Sequence, residues 1–269
     1  MTGPPQRDDR PRPWGDPAGA APFGERQPRP AAGESPPAFI FDIDGTIIDS
    51  MPFHGSSWEA FLVRRGIPYD GERFLRSTAG RTGVEIMREL FGPMSDEAAW
   101  ALVHEKEEVY RELFRPVFRE IEGFRVFARA ARAEGIRIAC ATAGDANNIA
   151  FALEGLGMAG EFDALAGAHD VANGKPAPDL FLLAAERAGA RPSECIVFED
   201  APLGIEGARR AGMLAVGVTS GEPAERLAGA HVIATIADYR TLRPRDVLEL
   251  ARAARPVAHD GDRNLARTS

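Results

Sequence analysis

The chain has 269 residues, a formal net charge of -8, 44% hydrophobic and 27% charged residues, and two cysteines. That size and mixture suit one large or two modest soluble domains with a sizeable core, and they exclude a disulfide-stapled miniprotein. The arginines are scattered over an acidic chain, without the clustered positive stripe that a phosphate backbone requires, so nucleic acid is not an expected partner.

Residues 1–37 are rich in Pro, Gly, Arg and Asp and almost free of aliphatic side chains, and ten of the 21 prolines fall in the first 38 positions. Such a segment has too little apolar surface to offset the entropy of ordering and is expected to be a disordered tail. AFIFDIDGTI (38–47) then reads as a short apolar strand running into a polar, glycine-containing turn, as at the active edge of a parallel sheet. Residues 54–65, 83–91 and 95–115 carry helical periodicity with Gly and Pro between them. No strand interrupts this stretch, which is too long for an ordinary crossover.

From residue 123 strands and helices alternate. Helices are expected at 123–134, 146–156, 178–188 and 203–211, with a short one at 223–228. Strands are expected at IRIACAT (136–142), FDALAGA (162–168), CIVFED (195–200), MLAVGV (213–218) and HVIATI (231–236). This alternation predicts an α/β fold, a Rossmann-like doubly wound parallel sheet, with an inserted all-helical cap. The expected division is core at 38–50 and 119–250, cap at 51–118, and a flexible C-terminal tail at 251–269. Cys140 and Cys195 lie in strand-like runs and are expected as buried free thiols of a reducing compartment. No apolar run approaches 18 residues and the first residues lack the apolar centre of a signal peptide. A cytoplasmic protein with no membrane partner, monomeric or weakly dimeric, is therefore expected.

Four polar clusters fall at the carboxyl ends of the predicted strands, where open parallel sheets bind ligands. Asp42 and Asp44 follow FIF, Thr142 follows IACA, Lys175 lies in NGKPAPD, and Glu199 and Asp200 follow CIVF. Asp42 and Asp44 could be no more than turn residues, with Gly45 supplying a positive φ. Two acids on apolar surroundings repel one another unless a proton or cation compensates, however. With Glu199 and Asp200 across the crevice they make a hard, oxygen-rich site of the kind Mg2+ prefers, whereas no His and Cys grouping supports zinc.

FDIDGTIIDS, CAT, NGKPAPDLF and FEDAPLGIEGARRAGM, in that order, resemble the four motifs of the haloacid dehalogenase superfamily, in the branch of beta-phosphoglucomutase and the sugar-phosphate phosphatases. The resemblance covers about residues 38–236. It implies that Asp42 is the nucleophile and Asp44 the general acid and base. Thr142, with Ala143 beside it, and Lys175 would hold the transferring phosphoryl group. Mg2+ would be held by Asp42, the backbone carbonyl of Asp44 and Asp200, with Glu199 supporting that shell. The implied function is a Mg2+-dependent phosphatase of a small phosphorylated metabolite. An acid at Asp44 separates this pattern from the dehalogenases, because expelling an alkoxide from phosphate needs a proton and attack on a carbon–halogen bond does not.

The helical insert resembles the family's type 1 cap. Within it, His54 resembles the histidine that sugar-phosphate members place over the substrate, and Trp58 is expected in the cap core. In beta-phosphoglucomutase a Lys-Gly pair and an Arg three residues on grip a second phosphate. The matching positions here are Ala79, Gly80 and Gly83, with Arg81 nearby, which favours a monophosphate hydrolase over a mutase. Lys106, in HEKEEVYRE, reads as part of a solvated face and not as a Schiff-base lysine. A beta-phosphoglucomutase-like sugar-phosphate mutase and a non-catalytic metal-binding module are the alternatives, since fold alone does not establish activity.

Overall fold

The computed structural model describes residues 35–78 and 80–255. Most of the expected N-terminal tail, Ala79, and everything past residue 255 lie outside the described residues.

Six parallel strands form one sheet: β1 (Ala38–Phe41), β2 (Arg137–Ala141), β3 (Ala164–Ala166), β4 (Cys195–Glu199), β5 (Leu214–Val218) and β6 (Val232–Ile236). Their spatial order is β3-β2-β1-β4-β5-β6. The chain fills one side of β1 and then the other, so the topological switch point lies between β1 and β4. The central strands read as continuous apolar runs because both faces are covered. Phe39 and Phe41 of β1, Ile138 and Cys140 of β2, and Ile196 and Phe198 of β4 face one layer of the core. The alternate residues Ala38 and Ile40, Ala139 and Ala141, and Cys195 and Val197 face the other. The first layer is closed by α5 (Phe124–Ala133), α6 (Ala146–Leu156) and α9 (Pro244–Ala254), the second by α7 (Asp179–Ala188) and α8 (Pro202–Arg210).

The first layer is aromatic. Phe41 and Phe198 stack with centroids 4.7 Å apart, and Phe127 lies 5.7 Å from Phe39 and 5.3 Å from Tyr239. Such rings supply large buried area and fixed orientation together. Tyr239 carries this rigidity toward the strand ends, since its hydroxyl donates to the Thr46 carbonyl at 3.1 Å.

Four helices follow β1: α1 (Met51–Val63), α2 (Gly71–Thr78), α3 (Gly83–Phe91) and α4 (Asp96–Phe114). They share a cluster of their own around Trp58, Phe61, Leu62, Ile86, Met87 and Val103. Thr82 and Glu85 close a capping box on α3, and Ser95 caps α4 by accepting from the Ala98 amide.

Two elements depart from the sequence expectations. GERFLRST (71–78) folds as α2 although Phe74 and Leu75 are its only large apolar residues, too few to show a period. No helix is read after the last strand, yet α9 forms and continues to Ala254, past the tail's expected start at 251, because Val247 and Ala251 are one turn apart and both seal the sheet. Cys140 and Cys195 are buried and free, as expected.

Candidate active site

Register assembles the first part of the site. Phe41 pairs with Phe198 on one side and Cys140 on the other. Asp42, one residue further, therefore stands beside Glu199, with its amide donating to the Phe198 carbonyl at 3.0 Å. The loop before α7 brings Lys175 to the same point, where its Nζ donates to Asp42 Oδ1 at 2.6 Å and to Glu199 Oε1 at 2.5 Å. Glu199 also accepts from the Ala201 amide at 2.8 Å through Oε2. It turns under α8 only because residue 204 is glycine, where a Cβ would stand 1.8 Å from Glu199 Oε1.

Asp42, Glu199 and Asp200 are all buried, and one carboxylate oxygen from each lies within 4.8 Å of the others. Three acids face one ammonium, so positive charge is short. Burial raises Asp42 above its ordinary range and Glu199 adds to the rise, with Lys175 offsetting only part. Burial, Glu199 and Asp42 together push Asp200 well up. Lys175 is raised in turn, since its two carboxylates outweigh the burial that would lower it. Gly45, at φ +76°, closes the turn over this group, and a Cβ there would stand 2.0 Å from Asp200 Oδ2. Hard oxygen donors, a deficit of positive charge and space kept clear by glycine fit a divalent cation. Thr142 is buried beside the group and lines the same cavity with Ala143. Its amide donates to the Ala166 carbonyl, and its Oγ1 accepts from the Gly144 amide at 3.0 Å.

Asp44 belongs to a different set of partners. Its Oδ1 accepts from Ser50 at 2.7 Å and Tyr110 at 3.2 Å. His54 Nε2 lies 3.0 Å from the same oxygen, without the alignment of a hydrogen bond. Burial opposes the charge on Asp44, and the attraction of His54 with the Ser50 and Tyr110 hydroxyls outweighs it, holding the carboxyl at about 2. His54 stacks on Tyr110 with centroids 3.8 Å apart.

Lys106 corrects a sequence expectation. It is 1% exposed, not on a solvated face, and lines the cavity. Its Nζ lies 2.8 Å from His54 Nδ1 and 2.9 Å from Glu107 Oε1, and 4.9 Å from the Trp58 ring centroid. An ammonium has no acceptor capacity, so Lys106 donates to Nδ1 and fixes the imidazole proton on Nε2, the nitrogen facing Asp44. Glu107 accepts from Asn148 Nδ2 at 2.8 Å, and Asn148 Oδ1 accepts from Arg111 at 2.7 Å. Lys106, Glu107 and Asn148 were not singled out as partners of the site. The one signal in sequence was the scarcity of lysine. Trp58 is in the helical cluster as expected, and it also lines the cavity.

The second-phosphate positions are filled differently from a grip. Arg81 pairs with Glu89 at 2.7 Å, and a Cβ on Gly83 would meet Val103 at 2.8 Å. Among the described residues no helix is long and apolar enough to cross a membrane.

A family model for haloacid dehalogenase-like hydrolases matches residues 36–212. Fructose-1-phosphate phosphatase YqaB of Escherichia coli (strain K12) is 37% identical over 180 residues, covering 66% of this chain and 94% of that protein. Validoxylamine A 7'-phosphate phosphatase of Streptomyces hygroscopicus subsp. limoneus is 33% identical over 201 residues, covering 72% and 91%. The crystal structure of beta-phosphoglucomutase from Clostridium difficile superposes with a TM-score of 0.71 at 27% identity, covering 80% of this chain and 97% of that one. With these matches and the parallel sheet that carries the site, the chain belongs to the haloacid dehalogenase-like hydrolases.

Proposed function

We propose that the protein is a Mg2+-dependent phosphatase that hydrolyses a small phosphomonoester, a sugar phosphate, through an aspartyl-phosphate on Asp42. The observation that carries this reading is the buried meeting of Asp42, Lys175, Glu199 and Asp200 at the switch point of the sheet. Asp42 and Asp200, with the backbone carbonyl of Asp44, would hold Mg2+, and Glu199 would support that shell while orienting Lys175. When bound, the metal supplies charge neutralisation for the phosphoryl oxygens.

Lys175 takes the same role from the protein side, offsetting the repulsion between a carboxylate nucleophile and a phosphate dianion. Asp42 attacks phosphorus and the bond to the leaving oxygen breaks, with the Thr142 hydroxyl and the backbone around Ala143 steadying the phosphoryl group. With substrate bound, Asp44 carries a proton and gives it to the leaving alkoxide, becoming a carboxylate. Asp44 then removes a proton from the water that cleaves the aspartyl-phosphate. Lys106 is a positioning residue in this scheme, because it sets which nitrogen of His54 faces Asp44.

The activities named for the two curated relatives support phosphate ester hydrolysis. A mutase must retain and turn a doubly charged intermediate, and Arg81 bound to Glu89 leaves that task poorly served. The test is phosphate release across a panel of phosphorylated metabolites with and without Mg2+. Metal-dependent inorganic phosphate from a sugar phosphate supports the reading. A sugar-phosphate isomer without free phosphate would convert it to a mutase, and no release from any ester would leave a binding module.

A further inference from the structure

A leaving group bound with its phosphorus at Asp42 must extend into the part of the cavity walled by the helical insert. That part offers apolar surface from Met51, Trp58, Leu75 and Ile86, the cations Lys106 and Arg81, and a carboxylate, Glu107. Glu107 is clamped from both sides of the cleft: Lys106 on its own helix donates to Oε1, and Asn148 on α6 of the core donates to Oε2. Arg111 in turn orders Asn148, so the carboxylate is preorganised before any ligand arrives. An ionised carboxylate accepts at about four lone-pair positions, and these partners occupy two of them. The capacity that remains borders the cavity.

Among the described residues, the cations near this end are each paired with a carboxylate. Lys106 faces Glu107 at 2.9 Å, Arg111 faces Glu108 at 2.6 Å, and Arg81 faces Glu89 at 2.7 Å. A second phosphate here would meet an ionised acid without a free counter-charge, whereas a hydroxyl would find an acceptor that cannot itself donate.

We infer that Glu107 is the specificity-determining residue of the cavity: its carboxylate accepts hydrogen bonds from leaving-group hydroxyls, selecting monophosphates of neutral polyols and rejecting a second anion at that end. This inference rests on the phosphatase reading of the site. Burial alone would favour a protonated Glu107, but Lys106, His54 and the Asn148 amide outweigh it and keep the group ionised. Asn148 is a positioning residue, and because it belongs to the core while Glu107 belongs to the insert, the reading surface is complete only when the two are together.

The test compares two ligands of equal length, fructose 1-phosphate and hexyl phosphate, by calorimetric titration of the full-length Asp42→Asn chain with Mg2+, with and without Glu107→Gln. The ratio of the two dissociation constants is expected to shift against the sugar phosphate by about 10- to 100-fold, the range for hydrogen bonds to a charged group. In the same variant, discrimination against fructose 1,6-bisphosphate should narrow. Glu107→Asp keeps the charge and the pairing with Lys106 but withdraws the carboxylate by one methylene, and should shift the ratio in the same direction if the glutamine variant does not fold. Ratios unchanged within about threefold in the folded variants would overturn the role of Glu107, which would then be a counter-ion for Lys106. If the parent neither binds nor hydrolyses any phosphate ester with metal, the phosphatase reading itself falls, and this inference with it.

Discussion

The two halves of the site carry opposite electrostatic imbalances. At the strand ends, burial and mutual repulsion drive Asp42 and Asp200 upward, and one lysine does not compensate three acids. Under the helical insert, the partly buried Asp44 and the buried Glu107 are held low, because His54, Lys106, hydroxyls and an amide surround them. Burial opposes the charge in all four, and the direction of each shift follows what the chain supplies as partners. The strand-end group is built to be completed by a cation and a phosphoryl group, and the insert group is complete within the protein.

Substitutions at the strand ends should break this contrast most severely. Asp42→Asn removes the nucleophile while keeping its volume, and kcat/KM for any phosphate ester should fall by more than about 10^4-fold with the thermal midpoint retained. Turnover near that of the parent would refute covalent catalysis at Asp42. Lys175→Met should lower kcat/KM by about 10^2- to 10^3-fold for every ester, whatever its leaving group. It also leaves buried carboxylates without their ammonium, at a cost of about 3–5 kcal/mol in metal-free protein. Added Mg2+ should therefore raise the melting temperature of Lys175→Met more than that of the parent. An equal or smaller rise, followed by calorimetry, would show that the acids are balanced without the lysine.

The same contrast explains what could be read from sequence. Asp42, Glu199, Asp200, Thr142 and Lys175 follow or approach the ends of short apolar runs, and parallel register converts those positions into proximity however far apart they lie in the chain. The strands, the alternation and the helices at 83–91 and 146–156 are legible because strands covered on both faces leave continuous apolar runs and buried helices leave a period of 3.6. The insert network leaves none. Lys106 meets His54 across 52 positions, and Glu107 meets Asn148 across 41, through helix packing that no local pattern encodes. The charged string HEKEEVYRE reads as a solvated face because His104, Glu105, Glu108 and Glu112 do lie on one, while Lys106 and Glu107 turn inward and pair. α2 is not legible because its few apolar residues form no stripe, and no helix is read after the last strand, so α9 is missed as a whole.

A substitution in the insert should have a smaller and more selective effect. Lys106→Met removes the donor that sets the His54 tautomer, so His54 Nε2 no longer holds its proton toward Asp44 by default. The rate of phosphoenzyme formation, read by rapid quench, should fall about tenfold for a sugar phosphate, whose alkoxide needs a proton from the Asp44 carboxyl that this N–H faces. For an aryl phosphate, whose phenolate leaves unaided, it should fall by much less. Equal losses for the two would mean that Lys106 shapes the cavity without bearing on proton transfer.

The smallest effect concerns stability and pH at Glu107, and its sign follows from the direction of the shift. A carboxyl held below its ordinary value of 4.5 in the folded state releases its proton more readily there than in the unfolded chain. The unfolded state then binds more protons through that range, so stability rises with pH across it. The contribution is fully present above about pH 4.5 and is lost as pH falls through the lower folded value. Glu107→Gln has no proton to exchange at this position, and a glutamine can still meet Asn148 but pairs more weakly with Lys106. The parent should therefore exceed the variant by about 1–2 kcal/mol at neutral pH, and the gap should narrow steadily as chemical denaturation is repeated below pH 4.5. Comparing the two proteins at each pH cancels the titration of the other carboxylates. A gap that stays constant down to pH 3 would mean that Glu107 is not held ionised by its neighbours. A gap that widens in acid would mean it is raised like Asp42 and Asp200, and the contrast between the two halves of the site would vanish.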